Sequence, residues 1–173
     1  VELVNGGESK VLIEGIPEEY LENIITEVTG DVLKVYVKGK VKNAKKMHLT
    51  ITYQKINAIE VSGASDVRAK EMITSNNFTI TTSGASSLDI MLTAEEVNLT
   101  TSGASDIKKE GTSPTFKSAL SGASSLNAKA FIANKVSVNA SGASDVNVYA
   151  SQGVSGVASG ASDVNVFGNP SVN

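Results

Sequence analysis

The stretch Val136-Ser137-Val138-Asn139-Ala140-Ser141-Gly142-Ala143-Ser144-Asp145-Val146 decides the fold. Its first five residues alternate apolar or small with polar, the period of a β-strand whose successive side chains point to opposite sides. A glycine-containing tetrapeptide interrupts the alternation, and Asp145-Val146 begins it again. The same tetrapeptide, Ser-Gly-Ala-Ser, starts at Ser62, Ser83, Ser102, Ser121, Ser141 and Ser159, in steps of 21, 19, 19, 20 and 18 residues. A nearly fixed period of this length marks an architecture of stacked coils.

Aligned on the tetrapeptide, the chain resolves into columns. Five residues after its first Ser stand Val67, Leu88, Ile107, Leu126, Val146 and Val164, apolar in every copy. Three before it stand Ile59, Ile80, Leu99, Ser118, Val138 and Gly156, and five before it Asn57, Phe78, Val97, Phe116, Val136 and Val154. Such strands are too short and too one-sided to be stable alone. Stacked at about 4.8 Å per coil, each pairs in parallel with its copies above and below. The spacing therefore predicts an all-β protein, a parallel β-helix in the form of a single-stranded solenoid with about 20 residues per coil. Residues 1–173 are expected to form one domain of seven to nine coils, with 1–55 as irregular N-terminal coils and 56–173 carrying the six tetrapeptides on one edge. Gly63, Gly84, Gly103, Gly122, Gly142 and Gly160 mark a corner that needs a glycine backbone conformation or a close approach between coils. Ala64 and its equivalents are expected to pack at that corner, and the flanking serines to bond to backbone or to each other.

Residues 1–61 lack the motif. Short alternating strands flank Asn5-Gly6-Gly7, and Gly15-Ile16-Pro17 breaks the chain. Glu18 to Ile25 fits one or two helical turns, or a polar loop leading into a strand at Ile24 to Val28. Val32–Val37 and Met47–Tyr53 alternate again as strands.

Composition narrows the function. The 173 residues carry a net charge of −3, charged residues make up 19%, and tryptophan and cysteine are absent. The polar surface is thus built from Ser, Thr and Asn. Nucleic-acid binding lacks the clustered basic face it needs, and disulfide or thiol chemistry is excluded. No apolar run approaches the roughly 20 residues of a membrane-spanning helix.

The sequence resembles the bacterial family of auto-transporter adhesins with a head GIN domain. The likeness rests on the entry Val1-Glu2-Leu3-Val4-Asn5-Gly6, on Ile25-Thr26-Glu27-Val28 followed by Leu33-Lys34-Val35, and on coils reading Val-Ser-Gly-Ala-Ser-Asp-Val. This resemblance implies a right-handed β-helix in exported or envelope proteins, frequent in Bacteroidetes and often carried behind a leader. The location it implies is the periplasm, outer membrane or cell surface. The Gly-Ile-Asn stretch that names the family is expected ahead of Val1, with the leader. The family carries no established activity, so no functional residue is transferred.

Candidate sites come from the outward columns. Directly after the tetrapeptide stand Asp66, Ser87, Asp106, Ser125, Asp145 and Asp163. A ladder of acceptors and hydroxyls explains this pattern, and Asp145 beside Asp163 is the one pair of adjacent carboxylates that could hold a hard cation such as Ca²⁺. Two residues on, Arg68, Asp89, Lys108, Asn127, Asn147 and Asn165 read as a charge alternation passing into an amide ladder. Lys38, Lys40, Lys42, Lys45 and Lys46 form a charged loop that could also meet acidic glycans or anionic lipid headgroups. His48 alone supports no histidine-based site, and no cofactor is implied. The functional expectation is a non-catalytic envelope or secreted module, adhesin-like or structural, with a cell-surface glycan or envelope protein as partner. The alternative is a carbohydrate-active β-helix enzyme or a glycan-binding protein. At the C-terminal end Phe167 and a short tail leave the last coil uncovered, which predicts a homodimer through that coil or a mobile end.

Overall fold

The computed structural model describes residues 1–42 and 47–172. The first strands are β1 (Glu2–Asn5) and β2 (Lys10–Glu14), followed by a 3₁₀ turn over Glu18–Asn23. A hairpin follows, β3 (Ile24–Thr29) and β4 (Val32–Val37), then β5 (His48–Tyr53) and β6 (Ala58–Val61). The coils proper are β7 (Asp66–Thr82), β8 (Ser87–Thr101), β9 (Asp106–Leu120), β10 (Ser125–Ala140) and β11 (Asp145–Ala158). β12 (Asp163–Gly168) and β13 (Ser171–Val172) end the described chain. Both expectations for Glu18 to Ile25 hold in part: Pro17 and two glutamates start a single 3₁₀ element, and Ile24 then enters a strand.

The long strands stack in parallel in the order β12-β11-β10-β9-β8-β7, giving a parallel β-helix of about six turns. The columns read from the sequence are the actual registers: Val67 lies on Leu88, Leu88 on Ile107, and Leu126 on both Ile107 and Val146. Fewer coils form than the expected seven to nine, for a topological reason. At the N-terminal end β1 and β5 continue the stack beneath β7, but β2 turns back antiparallel on β5 from Lys10↔Thr52 to Glu14↔His48. β3 and β4 leave the stack altogether as a two-stranded antiparallel sheet. An antiparallel edge cannot propagate the parallel coil, so residues 1–55 cap the solenoid instead of adding whole turns to it.

The tetrapeptides do lie on one edge, held by a backbone ladder. Ala104 N donates to Gly84 O and Ala123 N to Gly103 O, each at 2.8 Å, and the same bond recurs at every step. The glycine is required twice over. Gly103 has φ +87°, a left-handed value that L side chains avoid, and a Cβ there would stand 2.5 Å from Gly84 O of the preceding coil. Alanine's expected place at the corner is corrected: Ala64, Ala85, Ala104, Ala123, Ala143 and Ala161 are all exposed. The positive-φ glycine swings the chain so that the second serine points inward. Ser86, Ser105, Ser124 and Ser144 are buried. Each satisfies its hydroxyl locally, as Ser144 Oγ does by donating to Ser141 O at 2.9 Å, and Ser86 and Ser105 also share a hydroxyl contact at 3.1 Å.

The core is one continuous column of inward side chains. Its largest side chains are Phe78, Phe116 and Phe131, and β11 fills it with the smaller Val146, Val148, Ala150 and Val154. Because successive coils bury the same positions, each strand gains its stability from the neighbours above and below, as in other one-dimensional repeat folds.

Candidate functional site

Side chains on the outer wall are carried at coil spacing, and their order on the wall follows the register. The first column runs Asp66↔Ser87↔Asp106↔Ser125↔Asp145↔Asp163, every pair being direct Cα partners. Serine separates the carboxylates until the last step, where Asp145 and Asp163 are neighbours. All four aspartates are exposed. Asp145 Oδ1 accepts from Asn147 Nδ2 at 3.2 Å, so part of its oxygen capacity is engaged within its own coil. No cluster of three or more His, Cys, Asp or Glu suited to a metal occurs among the described residues. Two carboxylates are a thin ligand set for Ca²⁺, which takes six to eight oxygens. Millimolar Ca²⁺ is therefore expected to leave the thermal midpoint unchanged in the wild type and in an Asp145→Asn, Asp163→Asn double variant. A rise in the wild type that the double variant abolishes would assign the pair to a cation.

The second outward column is part ion ladder and part amide ladder. Lys108 Nζ lies 3.0 Å from Glu110 Oε1 on its own strand and 3.8 Å from Asp89 one coil below. Glu110 first and then Asp89 hold the Lys108 ammonium above the ordinary lysine range. Asn165 Nδ2 donates to Asn147 Oδ1 at 3.4 Å, while Asn147 gives its own amide to Asp145. The amide ladder thus has one link between Asn147 and Asn165, and the next is diverted to a carboxylate. Lys117 and Glu96 make a further cross-coil pair at 2.8 Å, and the Glu96 carboxyl is held below its usual range chiefly by that hydrogen bond. These pairs are solvent-exposed, so water screens them and they add little to stability.

Of the lysine loop, Lys38, Lys40 and Lys42 are exposed just beyond β4, and the base of the hairpin is tied there by Asn23 Nδ2 donating to Lys40 O at 3.1 Å. Lys45 and Lys46 lie outside the described residues. His48 sits on β5 with Nε2 3.5 Å from Glu2 Oε2, while Lys70 Nζ holds the other oxygen of the same carboxylate at 3.0 Å. Lys70 is the larger cause of the depressed Glu2 carboxyl, with His48 adding to it. The structure does not bring the carboxylate column, the lysine loop and His48 together. They occupy the wall and the N-terminal cap separately.

One charged residue was hidden by the alternation. Lys109 occupies an inward column otherwise made of Ala69, Ile90, Ala128, Val148 and Val166. It is 0% exposed, and its Nζ stands 4.1 Å from the Phe116 ring centroid and 3.7 Å from that of Phe131. The two rings meet edge to face at 5.4 Å. Nζ has no hydrogen-bond acceptor among the described residues, and burial pushes the amine well below the ordinary lysine range. The signal was available: in the column four residues after each tetrapeptide's second serine, one lysine breaks an apolar series. Lys108 masked it, because two consecutive lysines look like a solvated pair.

A long parallel coil stack with polar outer ladders and an apolar interior defines a β-solenoid. Its identity follows from the match of residues 1–170 to a family model: the chain belongs to the putative auto-transporter adhesin, head GIN domain, family. A crystal structure of a putative adhesin from Bacteroides fragilis is similar at 26% identity and a TM-score of 0.91, over 99% of this chain and 80% of that one. A putative lipid binding protein from Parabacteroides distasonis has a TM-score of 0.75 at 15% identity, over 99% of this chain and 82% of that one. A putative adhesin from the same organism has a TM-score of 0.68 at 15% identity, over 99% and 88%. No curated protein matches the chain.

Proposed function

We propose that this protein is a non-catalytic, adhesin-like module of the cell envelope or cell surface, whose coil stack presents its polar outer columns to a cell-surface glycan. The observation that supports this most is the in-register column from Asp66 to Asp163, a row of carboxylates and hydroxyls on a rigid wall. Backbone ladders between successive coils fix the spacing of that row, so a ligand meets preorganised acceptors and donors and the protein side loses less ordering entropy. A polyhydroxylated ligand matches such a surface, since each hydroxyl can donate to a carboxylate and accept from Ser or Asn. The adhesin name of the Bacteroides fragilis relative is consistent with this reading and with display outside the cytoplasm.

A glycan-array screen with and without Ca²⁺ tests it. The expected result is retention of a defined glycan class, weakened at least tenfold by Asp106→Asn combined with Asp145→Asn, with no polysaccharide cleaved. Absence of any retained glycan would overturn the proposal, and release of shortened sugars would replace it with an enzymatic one.

A further inference from the structure

Among the described residues, the outer edge of β12 is unpaired. β12 pairs with β11 from Asp145↔Asp163 to Ala150↔Gly168, and no described strand lies on its other edge. Among the described residues β13 covers only Gly153 and Val154 of β11, and no described strand lies beside Ser155–Ala158 on that side. The interior is exposed there as a groove of about 380 Å³ lined by Val138, Val154, Val164, Val166, Pro170 and Val172. Val157 also lines it, at 66% exposure, while Phe167 is exposed on the outer face of β12. The opposite end is managed differently: Lys10 and Glu14 flank an antiparallel edge there. On β12 the only charge is Asp163, and the edge carries neither lysine nor a bulge, the usual devices against strand pairing.

We infer that this end docks on a second copy of the chain, with β12 running antiparallel to the partner's β12 about a two-fold axis through Asn165. Three observations select that occupant and that register. The first is backbone phase. Asp163 N donates to Ser144 O at 2.9 Å, and bonding along a parallel strand alternates. Asn165 and Phe167 therefore also turn toward β11, leaving Val164 and Val166 to offer N–H and C=O outward. About an axis through Asn165, Val164 lies opposite the partner's Val166, which is the hydrogen-bonded kind of antiparallel pair. The second is the facing of side chains. Val164 and Val166 line the open core, so this register closes one apolar interior on the other, whereas a shift by one residue would place apolar against polar. The third is charge. Asp163 never meets its own copy but lies opposite the partner's Phe167, and Lys129 Nζ stands 4.7 Å from the Phe167 centroid. Each carboxylate is thereby matched with a ring that carries an ammonium. Asn165 meets the partner's Asn165, extending the Asn147–Asn165 contact across the axis. A patch that is its own complement about a two-fold is what closed dimers use.

The chain has no cysteine, which gives a clean test. Asn165 would face the partner's Asn165 as a non-hydrogen-bonded pair with Cα atoms about 4.5 Å apart, inside the disulfide range of about 4.4–6.8 Å. Under mild oxidation Asn165→Cys is expected to convert mostly to a covalent dimer, while Asn147→Cys, one coil inward in the same column, stays monomeric. In sedimentation the wild type should run at twice its 17.9 kDa mass, and Val166→Lys should run as a monomer. Should Val166→Lys fail to fold, the two cysteine variants still decide the matter. A wild type that is monomeric at every concentration, or Asn165→Cys cross-linking no more than Asn147→Cys, overturns the inference.

Discussion

Lys109→Met is expected to make the protein more stable at pH 7, by about 1–3 kcal/mol, the usual cost of a buried polar group without a partner. For a chain of this size that corresponds to a rise in melting temperature of about 2–4 °C per kcal/mol. Two effects compete at Lys109. The faces of Phe116 and Phe131 attract an ammonium, by up to about 2 kcal/mol when water is excluded. Taking that ammonium out of water costs several kcal/mol even after relaxation, and among the described residues no acceptor bonds it, while Lys108 and Glu110 beside it pair with each other. Desolvation wins, and the folded amine binds its proton more weakly than the unfolded one. Methionine keeps the length and contacts of the side chain without the charge.

The same imbalance sets a pH dependence. Between the depressed folded value and the ordinary lysine value of about 10.4, the unfolded chain holds a proton at Lys109 that the folded chain lacks. Wild-type stability therefore rises with pH across that window and is lost as pH falls through it. Lys109→Met has no such slope, so the gap between the two proteins should be widest at neutral pH and close as pH rises past 10. Denaturant titrations at several pH values measure this. A methionine variant that is less stable at pH 7, with a gap independent of pH, would mean that the aromatic pair holds a charged lysine comfortably.

Gly103→Val is expected to have the other large effect, a loss on the order of 3 kcal/mol or more. Left-handed backbone costs a non-glycine residue roughly 1–2 kcal/mol, and forcing carbons against fixed neighbours adds about 1–3 kcal/mol. The neighbour here is the backbone of Gly84, which the coil ladder prevents from moving aside. Gly63 separates the two costs. It has φ +77° but nothing within 4 Å of where its Cβ would stand, so Gly63→Val should show the conformational cost alone, about half the Gly103 loss or less. Ala104→Leu points to solvent and should stay within about 0.5 kcal/mol of wild type. Equal melting shifts for Gly63→Val and Gly103→Val would show that coil-to-coil contact does not limit this corner.

Most of the architecture was legible because the repeat reports the register directly. When six copies of a motif stack in parallel, alignment by sequence and alignment in space become the same operation, and Val67 through Val164 fell into one inward column. The corner was only half legible. Six glycines pointed to a special backbone, but which neighbour turned inward depended on the sign of φ, and that sign sends Ser105 into the core and Ala104 out of it. The N-terminal cap was least legible, since alternation in Lys10–Glu14 and Ile24–Val37 is compatible with parallel or antiparallel pairing. Lys109 escaped because burial of a lone amine runs against the rule that lysines stay solvated. The outward columns were readable as rows of residue types, whereas their bonding was not: Asn147 turns to Asp145 and away from a full amide ladder for reasons of local reach.

The central claim is that successive tetrapeptides lie directly above one another in a parallel, in-register stack. Paired cysteines in the exposed alanine column measure this most directly in a chain that has none of its own. Adjacent coils place such residues about 4.8 Å apart, within disulfide reach, and coils two steps apart place them at about twice that distance, beyond it. The account predicts that Ala104→Cys with Ala123→Cys closes an intramolecular disulfide under mild oxidation, and that Ala85→Cys with Ala123→Cys stays reduced. The reverse pattern, or equal closure of both pairs, would contradict the stack.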